Sequence, residues 1–231
     1  LNSPKGYGDL ERLPTRIEPM TKTPRKSDLA ARKQPRQRRS ADMVGFILEA
    51  AARILDEHGI ARFNTNAVAE RAGVSIGSLY QYFPSKQALL AALVQADLDQ
   101  FCAALKQVIE ANRTSDLTTA LTPLAACVMD HQFARPQLAM ILDEAEVNLE
   151  MHDHARLALG QVQNLIDEFL IPYLPNLPAS ARASAAQDII GMTRGMVDTA
   201  VQSGADDRTD LQARLILAIQ SYIQGRASYS S

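Results

Sequence analysis

The side chains with the most specific chemistry lie together between a serine and a proline: Ile76, Gly77, Ser78, Tyr80, Gln81 and Tyr82, between Ser75 and Pro84. At helical spacing they leave Leu79 and Phe83 on one side and themselves on the other. The outward set is uncharged, hydrogen-bonding and aromatic, and it suits the edge of a base pair better than bulk water. Glutamine can pair bidentately with adenine, serine and tyrosine donate to phosphate oxygens, isoleucine touches a thymine methyl, and glycine permits close approach.

Other constellations are weaker. His131, His152 and His154 with Asp143, Glu144, Glu146 and Asp153 invite a metal reading. His152 and His154, however, are two apart and share no helix face, and no HxxxH or CxxC spacing occurs. There is no nucleophile elbow and no glycine-rich phosphate loop, so neither catalysis nor a cofactor is expected. Cys102 and Cys127 are the only cysteines, each in an apolar helical context. One bridge is conceivable, but a large helical chain without a secretion signal reads as cytoplasmic and reduced.

The reading face needs a support, and the residues around it supply one. Thr65 is placed to cap a short helix carrying Val68 and Ala72, Gly73 to end it in the left-handed conformation, and Ser75 to cap the next. Ala69 is small where two helices joined by a tight turn must cross. Before this hairpin, Ser40 is expected to cap a first helix with Met43, Phe46, Ile47, Ala50, Ala51, Ile54 and Leu55 on one face and Gly59 at its end. Ile60 and Phe63 should pack the connection into the same small core. Ser85 is expected to cap a fourth helix, apolar to about Glu110, too long for the small unit and therefore a strut to the rest of the chain.

With 46% apolar residues, 5% aromatics and no Trp in 231 residues, the chain should be all-α with a sizeable core. Its net charge of -2 hides an asymmetry. Residues 1–41 carry eleven Lys/Arg against four Asp/Glu, whereas residues 91–231 carry nine against seventeen. A basic front and an acidic back fit a chain that meets nucleic acid at one end. Residues 1–39 read as a disordered basic arm, with Met20 a candidate start and Arg36, Arg38 and Arg39 at its end; it is either a solvated tail or a phosphate-tracking arm. Residues 40–90 read as a helix-turn-helix domain and residues 91–231 as a larger helical domain. No run of 18 uninterrupted apolar residues suggests a membrane span.

Past Asn112, caps and prolines divide the chain into further helices. One starts at Thr114 or Ser115, with Pro123 in its first turn or at a kink; another starts at Arg135-Pro136; a third runs from about His152 to Leu170. A long helix runs to Gly204, and Asp206, Asp207 or Thr209 caps the last. Gly191 and Gly195, with Met196 beside them, and Leu215, Ile219 and Tyr222 on the last helix give these two the breadth of a dimer interface, although packing within one chain also accounts for the glycines. Phe101, Met129, Phe133, Met140 and Tyr173 are candidates to line a ligand cavity, or simply core.

From Ser40 to Leu93 the sequence resembles the TetR family of one-component transcriptional regulators, through a first helix ending in HGI, the run NAVAERAGVSIGSLYQYFPSK and the Leu-rich helix after it. The resemblance implies three N-terminal helices followed by a helical ligand-sensing and dimerisation domain. It also implies a homodimer that binds a palindromic double-stranded DNA operator, most simply as a repressor released by a small-molecule effector. Carried over, Thr65 and Asn66 would touch the DNA backbone, Ile76, Gly77 and Ser78 would face bases, Tyr80 and Gln81 would reach bases or phosphates, and Tyr82 and Lys86 would grip phosphate. One departure stands out: no Arg or Lys precedes Lys86 on the recognition helix, so specificity must lean on Gln81, methyl contacts and DNA shape. The alternatives are an effector-independent activator or architectural DNA-binding protein, or a helical protein-interaction module that has lost DNA binding.

Overall fold

The computed structural model describes residues 38–148, 152–203 and 207–228, with side chains described for 40–142, 160–201, 203 and 207–228. Among the described residues there are nine helices and no strand: α1 (Arg38–Arg62), α2 (Thr65–Ala72), α3 (Ile76–Tyr82), α4 (Lys86–Ala111), α5 (Leu117–Ala134), α6 (Pro136–Asn148), α7 (His152–Leu170), α8 (Ala179–Ser203) and α9 (Arg208–Ser228).

Their local signals are short-range and mostly visible. Ser75 Oγ accepts the Ser78 N–H, Ser85 Oγ accepts the Ala88 N–H and Asp207 accepts the Asp210 N–H, so each caps the helix after it. Gly73 closes α2 at φ 67° and ψ 30°, its N–H on the Glu70 carbonyl while Val74 N–H returns to Ala69. Gly59 takes φ 69° and ψ -176°, which breaks α1 from the single turn at its end.

Four expectations are corrected. Ser40 is not the cap of α1, whose described helix already includes Arg38 and Arg39; these two therefore belong to the helix and not to an arm before it. Thr65 is the first residue of α2, and the cap is Asn64, whose Oδ1 accepts the Ala67 N–H at 2.9 Å. Asp116, not Thr114 or Ser115, caps α5 by accepting the Thr119 N–H at 3.1 Å. Phe46 and Ile60 are not core: they are 64% and 46% exposed, because α1 turns Ala52 inward as well as Ala51 and Leu55. Arg36 and Gly204 lie outside the described residues, as do the side chains of His152, His154, Asp143, Glu144, Glu146 and Asp153.

Two hydrophobic cores result. The smaller joins Ile47 and Leu55 of α1, Val68 of α2, Leu79 of α3, Phe83 and the first half of α4, and it also takes Leu138 and Leu142 from α6. The larger is built from α5, α7, α8 and α9, with Cys102 and Leu105 from the second half of α4. Helix α4 thus runs out of one core into the other. By length and mean hydropathy alone it is the one described helix that could cross a membrane, yet polar residues interrupt it and its Leu side chains pack into these two cores. Pro123 lies well inside α5, where its missing N–H leaves one backbone carbonyl without its helical partner.

The backbone at Gly73 should be intolerant. Gly73→Ala is expected to lower unfolding free energy by about 1–2 kcal/mol through the left-handed strain. Gly45→Ala, in α1 with nothing within 4 Å of a new Cβ, should raise it by up to about 1 kcal/mol. Urea unfolding of both variants reads the difference.

Candidate nucleic-acid interface

The reading head is α3, and it is held from beneath. Leu79 and Phe83 are fully buried, so the helix cannot roll without exposing both. From the same helix Ile76, Gly77, Tyr80 and Gln81 face outward, and the space a Cβ would take at Gly77 meets only Ser75 Oγ, at 3.9 Å. Tyr82 departs from the expected outward set: it is half-buried and packs against the small core. Ser78 is also half-buried, its hydroxyl 2.8 Å from that of Ser75.

The neighbouring helix is tied to the head at its N-terminal end. Thr65 Oγ1 lies 3.2 Å from Tyr80 Oη, so the first turn of α2 holds the outermost aromatic of α3 in place. Asn66 is exposed beside it. Lys86 has its ammonium 5.4 Å from the centre of the Phe63 ring, at the start of α4. A bidentate pair, Arg71 to Glu57 at 2.7 and 2.5 Å, fixes α2 against α1. The hydrogen bonds from Arg71 hold the Glu57 carboxyl below its ordinary range.

Behind the head, α6 is fastened to α1. Arg135 donates to both carboxylate oxygens of Glu49, at 2.9 and 3.2 Å, and the Leu138 N–H points at Asp56 Oδ1 at 3.4 Å, so a carboxylate of α1 sits at the positive end of α6. Hydrogen bonding from Arg135 holds Glu49 below its ordinary value of 4.5, with partial burial opposing and Arg53 assisting.

Two adjoining spaces lie between the cores' outer walls. One is an apolar cavity of ≈170 Å³ bounded by Leu98, Phe101, Val162, Ile189 and Val197, with Arg194 and Asp198 at its edge. The other is a cleft of ≈680 Å³ bounded by Glu49, Asp97, Phe101, Asp130, His131 and Arg135 among others. Phe101 and His131 wall both, their rings 4.6 Å apart, and His131 Nε2 is 3.2 Å from Asp97 Oδ2.

Of the five residues expected along a cavity, Phe101 alone meets these spaces. Met129 is buried in the large core and Met140 is exposed on α6. Phe133 lies under Arg208, 4.7 Å from its ring centre. Tyr173 donates to the Ser115 carbonyl at 2.9 Å and borders a separate cleft. The dimer-interface set also divides. Leu215 (0% exposed) and Ile219 (7%) are core within the single chain. Gly191 and Gly195 are exposed, with nothing within 4 Å of a new Cβ, so packing inside the chain does not account for them. Met196 is half-buried against the large core, and Tyr222, also half-buried, donates to Asp188 of α8. Burial and that bond push the Tyr222 hydroxyl up to about 12. Both cysteines are unpaired, and burial pushes each thiol up. Sequence reasoning missed Asn64, Glu49, Asp56, Asp97 and Arg135. Each is a polar residue on an otherwise apolar helix or at a helix end, which is a signal, but its partner is up to 86 positions away.

Residues 47–93 match the bacterial regulatory proteins of the tetR family. Residues 47–93 therefore carry a TetR-family DNA-binding segment. Among curated TetR-type relatives, the chain is 26% identical over 127 residues to the fatty acid metabolism regulator protein of Bacillus subtilis (strain 168), covering 54% of this chain and 64% of that one. It is 33% identical over 119 residues to the nucleoid occlusion factor SlmA of Haemophilus ducreyi, covering 51% of each. The chain thus spans between half and two thirds of these relatives' length. The fold of the fatty acid degradation regulator FadR from Bacillus halodurans superposes with a TM-score of 0.63 at 25% identity, over 78% of this chain and 98% of that one. FadR from Bacillus subtilis in complex with stearoyl-CoA superposes at 0.62 and 21% identity, over 80% of this chain and 97% of that one.

The clamp behind this TetR reading head has a pH signature. Because the folded Glu49 value is depressed, the pair's contribution is complete above the ordinary value of 4.5 and is lost as pH falls through the lower folded value. Both side chains are partly exposed, so the contribution is at most about 1 kcal/mol. Glu49→Gln should lower the urea midpoint at pH 7, and parent and variant should converge in acid; parallel curves at every pH would contradict the assignment.

Proposed function

We propose that the protein is a homodimeric, ligand-released transcriptional repressor that binds a palindromic operator through two copies of α3. In this reading residues 40–90 are the DNA-binding domain, residues 91–231 sense the effector and dimerise, and the protein works in the cytoplasm. The observation that carries it is the outward row Ile76, Gly77, Tyr80 and Gln81 on a helix pinned by buried Leu79 and Phe83. Such a row is built to be pressed into a groove. The match of residues 47–93 to the tetR-family regulators supports the same role.

Two copies of α3 must sit about one DNA turn apart, roughly 34–36 Å, to read half-sites on one face of the duplex. The open face around Gly191 and Gly195 supports a partner helix there, because a pair of mid-helix glycines costs roughly 2 kcal/mol in propensity and close packing offsets it. Effector release draws support from the cavity, from the cleft that reaches the Glu49–Arg135 clamp, and from the ligand-bound relative of the same fold. A ligand that fits one setting of α6 against α4 better than another shifts the dimer by its differential affinity, and the DNA affinity changes with it.

Selection of bound sequences from random duplex DNA tests the reading. Gln81→Ala is expected to relax preference at one base position per half-site, worth about 1–3 kcal/mol of discrimination. Lys86→Ala should weaken all sequences alike and flatten the log-log salt slope by about 0.9 per half-site. No enriched site and no salt slope for the parent chain would sink the proposal, and an unchanged preference for Gln81→Ala would remove that residue from base reading.

A further inference from the structure

We infer that the effector is an amphipathic cation, an alkyl- or aryl-ammonium type of molecule, with its apolar part in the apolar pocket and its charged head in the adjoining acidic cleft. The inference rests on the small-molecule reading under Proposed function and deepens it by naming the ligand's chemical class.

The two spaces differ in character and share a wall. The apolar pocket is bounded by Leu98, Val162, Ile189, Ile190 and Val197, and the members of its one charged pair, Arg194 and Asp198, face each other across 4.0 Å. It offers an apolar group a mostly hydrocarbon wall, with its two charges already facing each other at the edge. The two spaces meet at the tilted Phe101–His131 stack, the two residues that both have in common among their described walls. Rotation of these two side chains joins the spaces into one channel with an apolar end and a polar end.

The polar end has a sign. Asp97, Asp130 and Glu49 face the cleft against Arg135 and His131. Arg135 is already engaged by both oxygens of Glu49, which Arg53 also holds at 2.8 Å from outside the cleft, so this end carries no free carboxylate charge. His131 is turned to Asp97, and Asp130 stands exposed beside it. Among the described lining residues, Asp97 and Asp130 are thus the carboxylates that no described guanidinium engages, and Arg135 already faces one. An anionic head, whether a carboxylate or the phosphates of a coenzyme A thioester, would enter against this field and would have to break the clamp to find a guanidinium. A cationic head finds Asp97 and Asp130, and the Phe101 ring supplies a face for an ammonium group freed from water. In a half-dry cleft, one charge pair a few ångströms apart is worth about a factor of ten or more in affinity.

The same site also explains how such a ligand would be felt at the DNA. A head that takes over Asp97 releases His131 from it, and His131 lies on α5, one turn before Arg135 and the start of α6.

The test uses the full-length chain and two probes with one tail, decyltrimethylammonium and decanoate, below their micelle concentrations, with decanoyl-CoA as a third. Calorimetric titration is expected to give at least tenfold tighter binding of the cation than of either anion. Asp130→Lys, at an exposed position that should leave the fold intact by circular dichroism, is expected to reduce the cation's advantage by tenfold or more; Asp97→Asn should do the same in part. Equal binding of the three probes, tighter binding of an anion, or an advantage unmoved by Asp130→Lys would overturn the cationic class while leaving a small-molecule site in place. No binding of any tail to the folded chain would overturn both the class and the site.

Discussion

The burial of Leu138 and Leu142 against α1 is the constraint on which the rest of the arrangement depends. Two leucines removed from water contribute about 1.5–3 kcal/mol each, more than the partly exposed Glu49–Arg135 pair can. Apolar packing therefore decides that α6 stays on the reading domain, while the ion pair and the Asp56 carboxylate at the helix start decide its register. The residue before Pro136 cannot easily be helical, so the chain must turn at Arg135, and the turn places the guanidinium over α1.

This constraint sets the placement of everything behind the DNA-facing helix. Helix α4 leaves the small core after Val94 and enters the large one at Cys102, and between them it exposes Asp97 and Phe101 to the spaces under α6. The reading face and the cavity share no residue, yet they share α4, and α6 and α1 close the loop between them. A weakly charged recognition helix suits such a design. In the proposed dimer, affinity would depend on placement of both copies more than on a large electrostatic reserve, so small changes in their separation would matter.

The parts of this fold written in short-range chemistry were legible in the sequence. Ser75, Ser85, Gly73 and Pro84 mark ends of helices by capping, a left-handed backbone and a missing N–H, all set within four residues, and the all-α class comes from the same signals repeated. Faces were less legible. A 3.6-residue stripe on α1 fits Phe46 as well as Ala52, and only the docking of α6 on the second flank tells which turns inward. Leu215 and Ile219 read equally as core or interface, since both are apolar on one stripe; the choice depends on α5 lying over α9. Thr65 and Asn64 are both good caps, and a one-residue shift of the helix start decided between them. The cavity was the least legible, because its charged walls come from α1, α4 and α5, far apart in sequence, and carboxylates on an amphipathic helix look like solvated surface until a partner is found.

Helix α6, although it follows the DNA-binding segment, packs on the small core while it walls the cleft, and the proposed coupling between ligand and DNA depends on that double contact. Native-state hydrogen exchange of the amides from Leu138 to Leu142 reads this. They are expected to open with the small-core amides of α1, with a common free energy and denaturant dependence. If they open instead with the amides of α8 and α9, or independently of α1, the fastening of α6 to the reading domain is wrong.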